Sequence, residues 1–182
     1  MNTIRFFVLI PAALFLQAGQ ANAQPGNVQF SHPAGFYSTA FTLTLTSTDP
    51  SKNIRYTIDG SNPQSSSTAK LAGITATVSV NPASSTGRPK TPAFIVRACL
   101  KSAGSEATMP ETRTYIFINQ VKVQKDPGGG WPSGWVNDQM IDLEMDDAVV
   151  NDSRYSAYVD DALLALPSVS VVTDLSGLFG AD

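Results

Sequence analysis

One cysteine, Cys99, and one histidine, His32, are all this chain has of the two most versatile site residues. A single cysteine forbids an intrachain disulfide, so the fold must rest on an apolar core. Within Phe94-Ile95-Val96-Arg97-Ala98-Cys99-Leu100, Cys99 reads as a small apolar strand residue; Arg97 and Lys101 give a reactive thiol thin support. His32 stands beside Pro33, in a turn, with no second histidine and no nearby cysteine. It cannot found a zinc site, and a Ser-His-Asp triad would have to hang from a turn edge. A Gly-x-Ser-x-Gly elbow is missing, and Gly128-Gly129-Gly130 runs into Trp131-Pro132 where a phosphate loop needs its lysine. The acidic residues Asp138, Asp142, Glu144, Asp146 and Asp147 lack the alternating ligands and central glycine of a calcium loop, which leaves a solvated acidic segment. A carboxylate pair for glycoside hydrolysis is compatible with almost any acidic stretch and identifies nothing here. No catalytic residue, cofactor or metal is expected.

Long apolar runs are also missing. The longest, Phe6-Phe7-Val8-Leu9-Ile10-Pro11-Ala12-Ala13-Leu14-Phe15-Leu16, is interrupted by Pro11 and is about half the length needed to cross a bilayer. Arg5 before it and Ala21-Asn22-Ala23 after it complete a signal peptide over residues 1–23. Cleavage after Ala23 would export a mature chain beginning at Gln24 to the extracellular space, the cell surface or the periplasm. No cysteine follows the apolar run, which argues against a lipid anchor, and no membrane attachment is expected after cleavage.

Charge is scarce, 15% of residues, and unevenly spread. Residues 24–125 carry ten Lys/Arg against four acids, a balance of +6, while residues 126–182 carry eleven acids against Arg154, a balance of −10. The change falls at Asp126-Pro127-Gly128-Gly129-Gly130, the strongest linker signal in the chain. The cations are scattered over several strands and make no nucleic-acid patch.

What the chain does have is period-two alternation. Ile54, Tyr56 and Ile58 alternate with Arg55 and Thr57, and Asp59-Gly60 then turns the chain before Pro63. Phe41, Leu43 and Leu45 alternate with three threonines; Ile74, Ala76, Val78 and Val80 alternate with Thr75, Thr77 and Ser79. Phe94, Val96, Ala98 and Leu100 line one face of a further strand, residues 28–31 make a short first strand, and residues 113–118 make the last. Lys70-Leu71-Ala72 reads as a short edge strand, Phe36-Tyr37 as a fold-back over one end of the core, and residues 81–92 as a long loop. Six or seven strands in about ninety residues, with turn signals between them, predict a mainly β fold: a seven-strand-type antiparallel immunoglobulin/fibronectin-III-like sandwich. Its expected centre is Phe41, Leu43, Leu45, Ile54, Tyr56, Ile58, Val78, Val96 and Tyr115.

The strings Phe30-Ser31-His32-Pro33, Gly35-Phe36-Tyr37, Phe41-Thr42-Leu43-Thr44-Leu45 and Ile54-Arg55-Tyr56-Thr57-Ile58-Asp59-Gly60-Ser61-Asn62-Pro63 resemble the chitobiase/β-hexosaminidase C-terminal-type domain, with Val96-Arg97-Ala98 and Arg113-Thr114-Tyr115 as its closing strands. The resemblance spans about residues 27–118. It implies a fibronectin-III-like accessory domain without catalytic residues, of the kind appended to fucosidases and to many bacterial surface proteins.

Beyond the linker the style changes. Ser153 is a plausible N-cap for a helix over residues 154–166, with Tyr155, Val159, Ala162, Leu163 and Leu166 as its apolar stripe and Pro167 as its stop. Asp146-Asp147-Ala148-Val149-Val150 reads as one turn of helix, residues 168–173 as a strand, and Asp174 as the cap of a last turn through Leu178-Phe179. This is a short α/β C-terminal extension. Asp146 through Tyr155, Ala162-Leu163, Leu166 through Asp174 and Leu178-Phe179-Gly180 resemble the opening segment of the spore-coat-kinase-like (CotH-type) family. That family's nucleotide and metal residues would lie downstream, so the resemblance implies a second domain truncated at Asp182 and carries no catalytic residue over.

The expected organisation is a signal peptide (1–23), a β-sandwich accessory domain (24–120), a Gly/Pro/Trp linker (121–137) and an acidic α/β segment (138–182), with residues 128–182 loosely attached and at most the 154–166 helix docked on the sandwich. The expected function is that of an exported spacer and docking module for a surface or secreted enzyme, monomeric, whose partner is a neighbouring catalytic domain or a polysaccharide. Carbohydrate binding is the alternative, with Tyr37, Trp131 and Trp135 as the aromatics that would stack on sugar rings; otherwise Tyr37 belongs to the core and the tryptophans pin the linker. A kinase-like phosphotransferase, of which this chain is the N-terminal fragment, is the third reading.

Overall fold

A computed structural model describes residues 27–180 except Ser105, Gly129 and Asp174, and gives no side chains for Leu175 and Ser176. The expected leader and its cleavage site, and the expected cap at Asp174, lie outside the described residues. Eight strands, β1 (Val28–Phe30), β2 (Gly35–Tyr37), β3 (Phe41–Ser47), β4 (Asn53–Thr57), β5 (Lys70–Leu71), β6 (Thr75–Val80), β7 (Ala93–Lys101) and β8 (Glu111–Phe117), form two sheets. One has the order β1-β3-β6 and the other β2-β8-β7-β4-β5. Every pairing is antiparallel except β2 with β8, where the fold-back at Phe36-Tyr37 runs parallel to the last strand. The chain is a mainly β sandwich.

Register places like with like. Leu43 faces Val78 and Leu45 faces Ala76 in the smaller sheet; Ile54 faces Leu100 and Phe94 faces Tyr115 in the larger. Their side chains meet between the sheets, with Val28, Tyr56, Val80, Val96, Ala98 and Phe117 completing the core. A large side chain fully buried contributes about 1.5–3 kcal/mol, so this set offsets much of the ordering entropy without a disulfide. Phe41 and Ile58, expected at the centre, are half-buried and pack against the core from its margin. The alternation of β4 fails at its end: Thr57, expected on the outer face, is buried, and its hydroxyl donates to the Ser61 carbonyl at 2.7 Å. That bond shapes the turn through Gly60, whose φ of 83° suits glycine, and seats Pro63 in the interior.

After β8 the chain forms a one-turn helix α1 (Ile118–Val121), a hairpin of β9 (Gly134–Val136) and β10 (Gln139–Ile141), and three short helices, α2 (Asp147–Val150), α3 (Val159–Ala165) and α4 (Leu175–Phe179). Three sequence expectations need correction. The expected boundary between the Gly/Pro/Trp linker (121–137) and the acidic segment (138–182) falls inside that hairpin, closed by Asn137 and Asp138 with φ of 48° and 60°, which short polar side chains tolerate. The helix expected over residues 154–166 starts only at Val159, without a side-chain cap. Asp152 binds the Arg154 N–H and guanidinium instead, and residues 153–158 form turns. Residues 168–173, expected as a strand, have no ladder partner among the described residues and stay irregular.

Candidate functional site

The outer face of the five-stranded sheet is where the rest of the chain converges. In a two-layer sandwich the outward positions of β7 and β8 would meet water, yet Ile95 and Ile116 make an apolar strip there, with Ile58, just past β4, at the margin between strip and core. Residues 168–172 lie over it. Ser170 Oγ is 2.8 Å from Thr114 Oγ1, and a Cβ added to Gly60 would stand 3.8 Å from Val172 Cγ1 and 3.9 Å from Ile95 Cδ1. A cavity of about 320 Å³ remains between strip and cover, bordered also by Trp131, Leu143, Val169 and Val171.

Opposite charges join the two halves nearby. Lys122 Nζ lies 3.0 Å from Asp160, and Lys125 Nζ lies 2.9 Å from Asp147 and 3.4 Å from Glu144. Lys125 donates to both carboxylates, Asp147 first, and these bonds lift its amine above its ordinary value. Gln124 adds a side-chain bond to the Leu143 carbonyl at 2.6 Å, and its own carbonyl accepts from the Met145 N–H at 3.1 Å.

Two polar assemblies border the same cavity, and sequence reading singled out neither. Arg88, only 7% exposed, closes the long loop between β6 and β7. Its Nη1 donates to the Ser84 carbonyl at 2.7 Å; its Nη2 donates to Thr91 O, Thr91 Oγ1 and Ala93 O at 2.9–3.0 Å. The guanidinium sits 4.5 Å over the Phe94 ring, and burial lowers its pKa. Asp59 accepts the Ser61 N–H and hydroxyl on one oxygen and the Thr68 hydroxyl on the other. Burial pushes that carboxyl up, but the Ser61 and Thr68 bonds outweigh it and hold the group below its ordinary value.

The aromatics nominated as sugar platforms do not share a surface. Tyr37 packs on Phe41 at 4.5 Å and edge-on to Tyr115 at 5.6 Å, and its hydroxyl donates to the Pro33 carbonyl. His32 stacks on the same Phe41 at 4.4 Å, so both belong to the aromatic end of the core. Trp131 is half-buried at the cavity, edge-on to Phe179 at 6.4 Å. Trp135, 75% exposed, stands opposite Met140 on the hairpin and faces solvent. Cys99 is buried, and burial pushes its thiol up despite Arg55 and Lys101. Among the described residues no three His, Cys, Asp or Glu are grouped to hold a metal ion, and no helix is long and apolar enough to cross a membrane.

A family model described as the chitobiase/beta-hexosaminidase C-terminal domain matches residues 32–86, from the turn after β1 into the loop after β6. That domain is a non-catalytic accessory β-sandwich. No curated protein matches the chain.

Proposed function

We propose that this chain is an exported accessory module whose sandwich serves as spacer and docking platform for the segment that follows it. The observation that carries this reading is the covered strip: Ile95 and Ile116 on the outward side of the sheet share a cavity with residues 169–171 of the same chain, and Ser170 meets Thr114 beside them. A sandwich with no docking role would place polar residues there. The ion pairs of Lys122 and Lys125 with the acidic half support the same arrangement. In this reading the segment over residues 146–180 is the start of a CotH-type, kinase-like domain, and a stop codon directly after Asp182 would remove that part of the proposal. Export is checked by N-terminal sequencing of the secreted chain, which is expected to begin at Gln24.

The exposed Trp135, beside an equally solvent-facing Met140, favours a second reading as a carbohydrate-binding module. Calorimetric titration of the full chain with chitin, cellulose and fucosylated oligosaccharides separates the two. The docking reading predicts no saturable heat. Binding that disappears in Trp135→Ala would transfer the function to carbohydrate recognition.

A further inference from the structure

Two open sheets have four edges, and three of the edges here are short. β1 and β2 have three residues each and β5 has two, whereas β6 runs for six. Its ladder with β3 is continuous, without a bulge. The Ser47 N–H donates to the Ile74 carbonyl at 2.8 Å, which fixes the phase: Ile74, Ala76, Val78 and Val80 turn their main-chain groups toward β3. Thr75, Thr77 and Ser79 therefore each turn an N–H and a carbonyl outward, and all three residues are exposed. Among the described residues no other segment bonds to those groups.

Sheet edges of this length are ordinarily guarded by a lysine, a proline, a bulge or a cover. Here no charged residue stands between Lys70 and Arg88, and the first proline, Pro82, comes after the strand. The edge is also its own complement. Laid antiparallel on a second copy, Thr77 meets Thr77 and Thr75 meets Ser79 on both sides, so each outward N–H finds a carbonyl and no like charges are opposed. A charged strand from another protein would find no counter-charge here. We propose that two copies of the chain pair through β6, antiparallel and two-fold symmetric about Thr77, joining their three-stranded sheets into one. A dimer replaces the monomer expected from the sequence, and it leaves the larger sheet and the docking of residues 168–172 untouched. A contact of one strand pair falls below the area of stable dimers, so a dissociation constant on the order of 100 µM follows.

Sedimentation equilibrium of the full chain from about 10 µM to 1 mM is expected to show a monomer–dimer equilibrium. Thr77→Pro removes the outward N–H, spares the β3 side of the ladder and is expected to weaken the dimer about tenfold or more. Thr77→Lys, at an exposed position that tolerates it, sets two cations face to face and is expected to weaken it severalfold. The register is read by cross-linking, with the native Cys99 buried out of reach. Mild oxidation is expected to join two copies of Thr77→Cys at least about tenfold faster than two copies of Thr75→Cys, whose thiols stand opposite Ser79 instead. A monomer at every concentration overturns the proposal and leaves the edge to a strand of another protein. Dimers that both Thr77→Pro and Thr77→Lys leave intact, or equal cross-linking from positions 75 and 77, overturn it as well, because association would then run through another face or register.

Discussion

Replacing Arg88 by alanine removes a buried cation that has no acidic partner, and the loss can be sized from its contacts. The guanidinium makes four hydrogen bonds, three of them to main-chain carbonyls at both ends of the loop between β6 and β7, and covers the Phe94 ring at 4.5 Å. Hydrogen bonds to charged groups are worth about 1.5–3 kcal/mol each, but they are not additive, and the carbonyls of a surface loop regain water once the side chain is gone. A net cost of about 2–4 kcal/mol follows for Arg88→Ala. Arg88→Lys keeps the charge and loses the planar fork, so about half that cost is expected. Urea unfolding is the assay. With a slope near 2 kcal/mol/M, the midpoint of Arg88→Ala is expected to fall by roughly 1–2 M at unchanged slope. A midpoint within about 0.3 M of the parent would refute the view that this side chain closes the loop.

Leu43→Ala, at a fully buried position facing Val78, is expected to cost about 2–5 kcal/mol in the same assay, and a loss under about 1 kcal/mol would contradict the placement of the core. The Ser51 hydroxyl, then the Ser51 N–H and Lys52, lower the Asp49 carboxyl from 3.8 to about 2. Because the folded pKa is depressed, the contribution of Asp49 to stability is present above 3.8 and is lost as pH falls through about 2. Carbon NMR titration is expected to return that low value and to move it toward 3.8 in Ser51→Ala; identical titrations would refute the assignment. Cys99, buried and with its thiol pushed up, is expected to react with Ellman's reagent only as fast as the chain opens, and immediate reaction would contradict its burial.

The sandwich was legible because burial on one face leaves a period-two trace: Phe41-Leu43-Leu45 and Ala76-Val78-Val80 face each other in the register their patterns imply. The trace fails where a turn takes control. At Thr57 a hydroxyl-to-carbonyl bond reverses the alternation, and no hydropathy pattern encodes such a bond. The β9–β10 hairpin has only three residues on each side, too few for a period, although Asn137-Asp138 carries a recognisable signal for a turn with positive φ. Residues 168–173 have the β-branched composition of a strand, but composition cannot supply a ladder partner, and they became a cover for the sheet instead. The covered strip was visible in part as Ile95 and Ile116, apolar at outward positions. Arg88 was invisible for the opposite reason: its partners are main-chain oxygens, which leave no mark on the sequence.

The central claim is that residues 168–172 dock on the outer face of the sandwich. It is tested most directly by Thr114→Cys combined with Ser170→Cys in the full chain. The two native hydroxyl oxygens lie 2.8 Å apart, and the native thiol of Cys99 is buried out of reach. Mild oxidation is expected to join positions 114 and 170 in nearly every molecule, readable by mass spectrometry after digestion and faster than when Thr114→Cys is paired with Val169→Cys. Two thiols that stay free, or that pair no faster than in that control, would contradict the docking and with it the proposed role of the module.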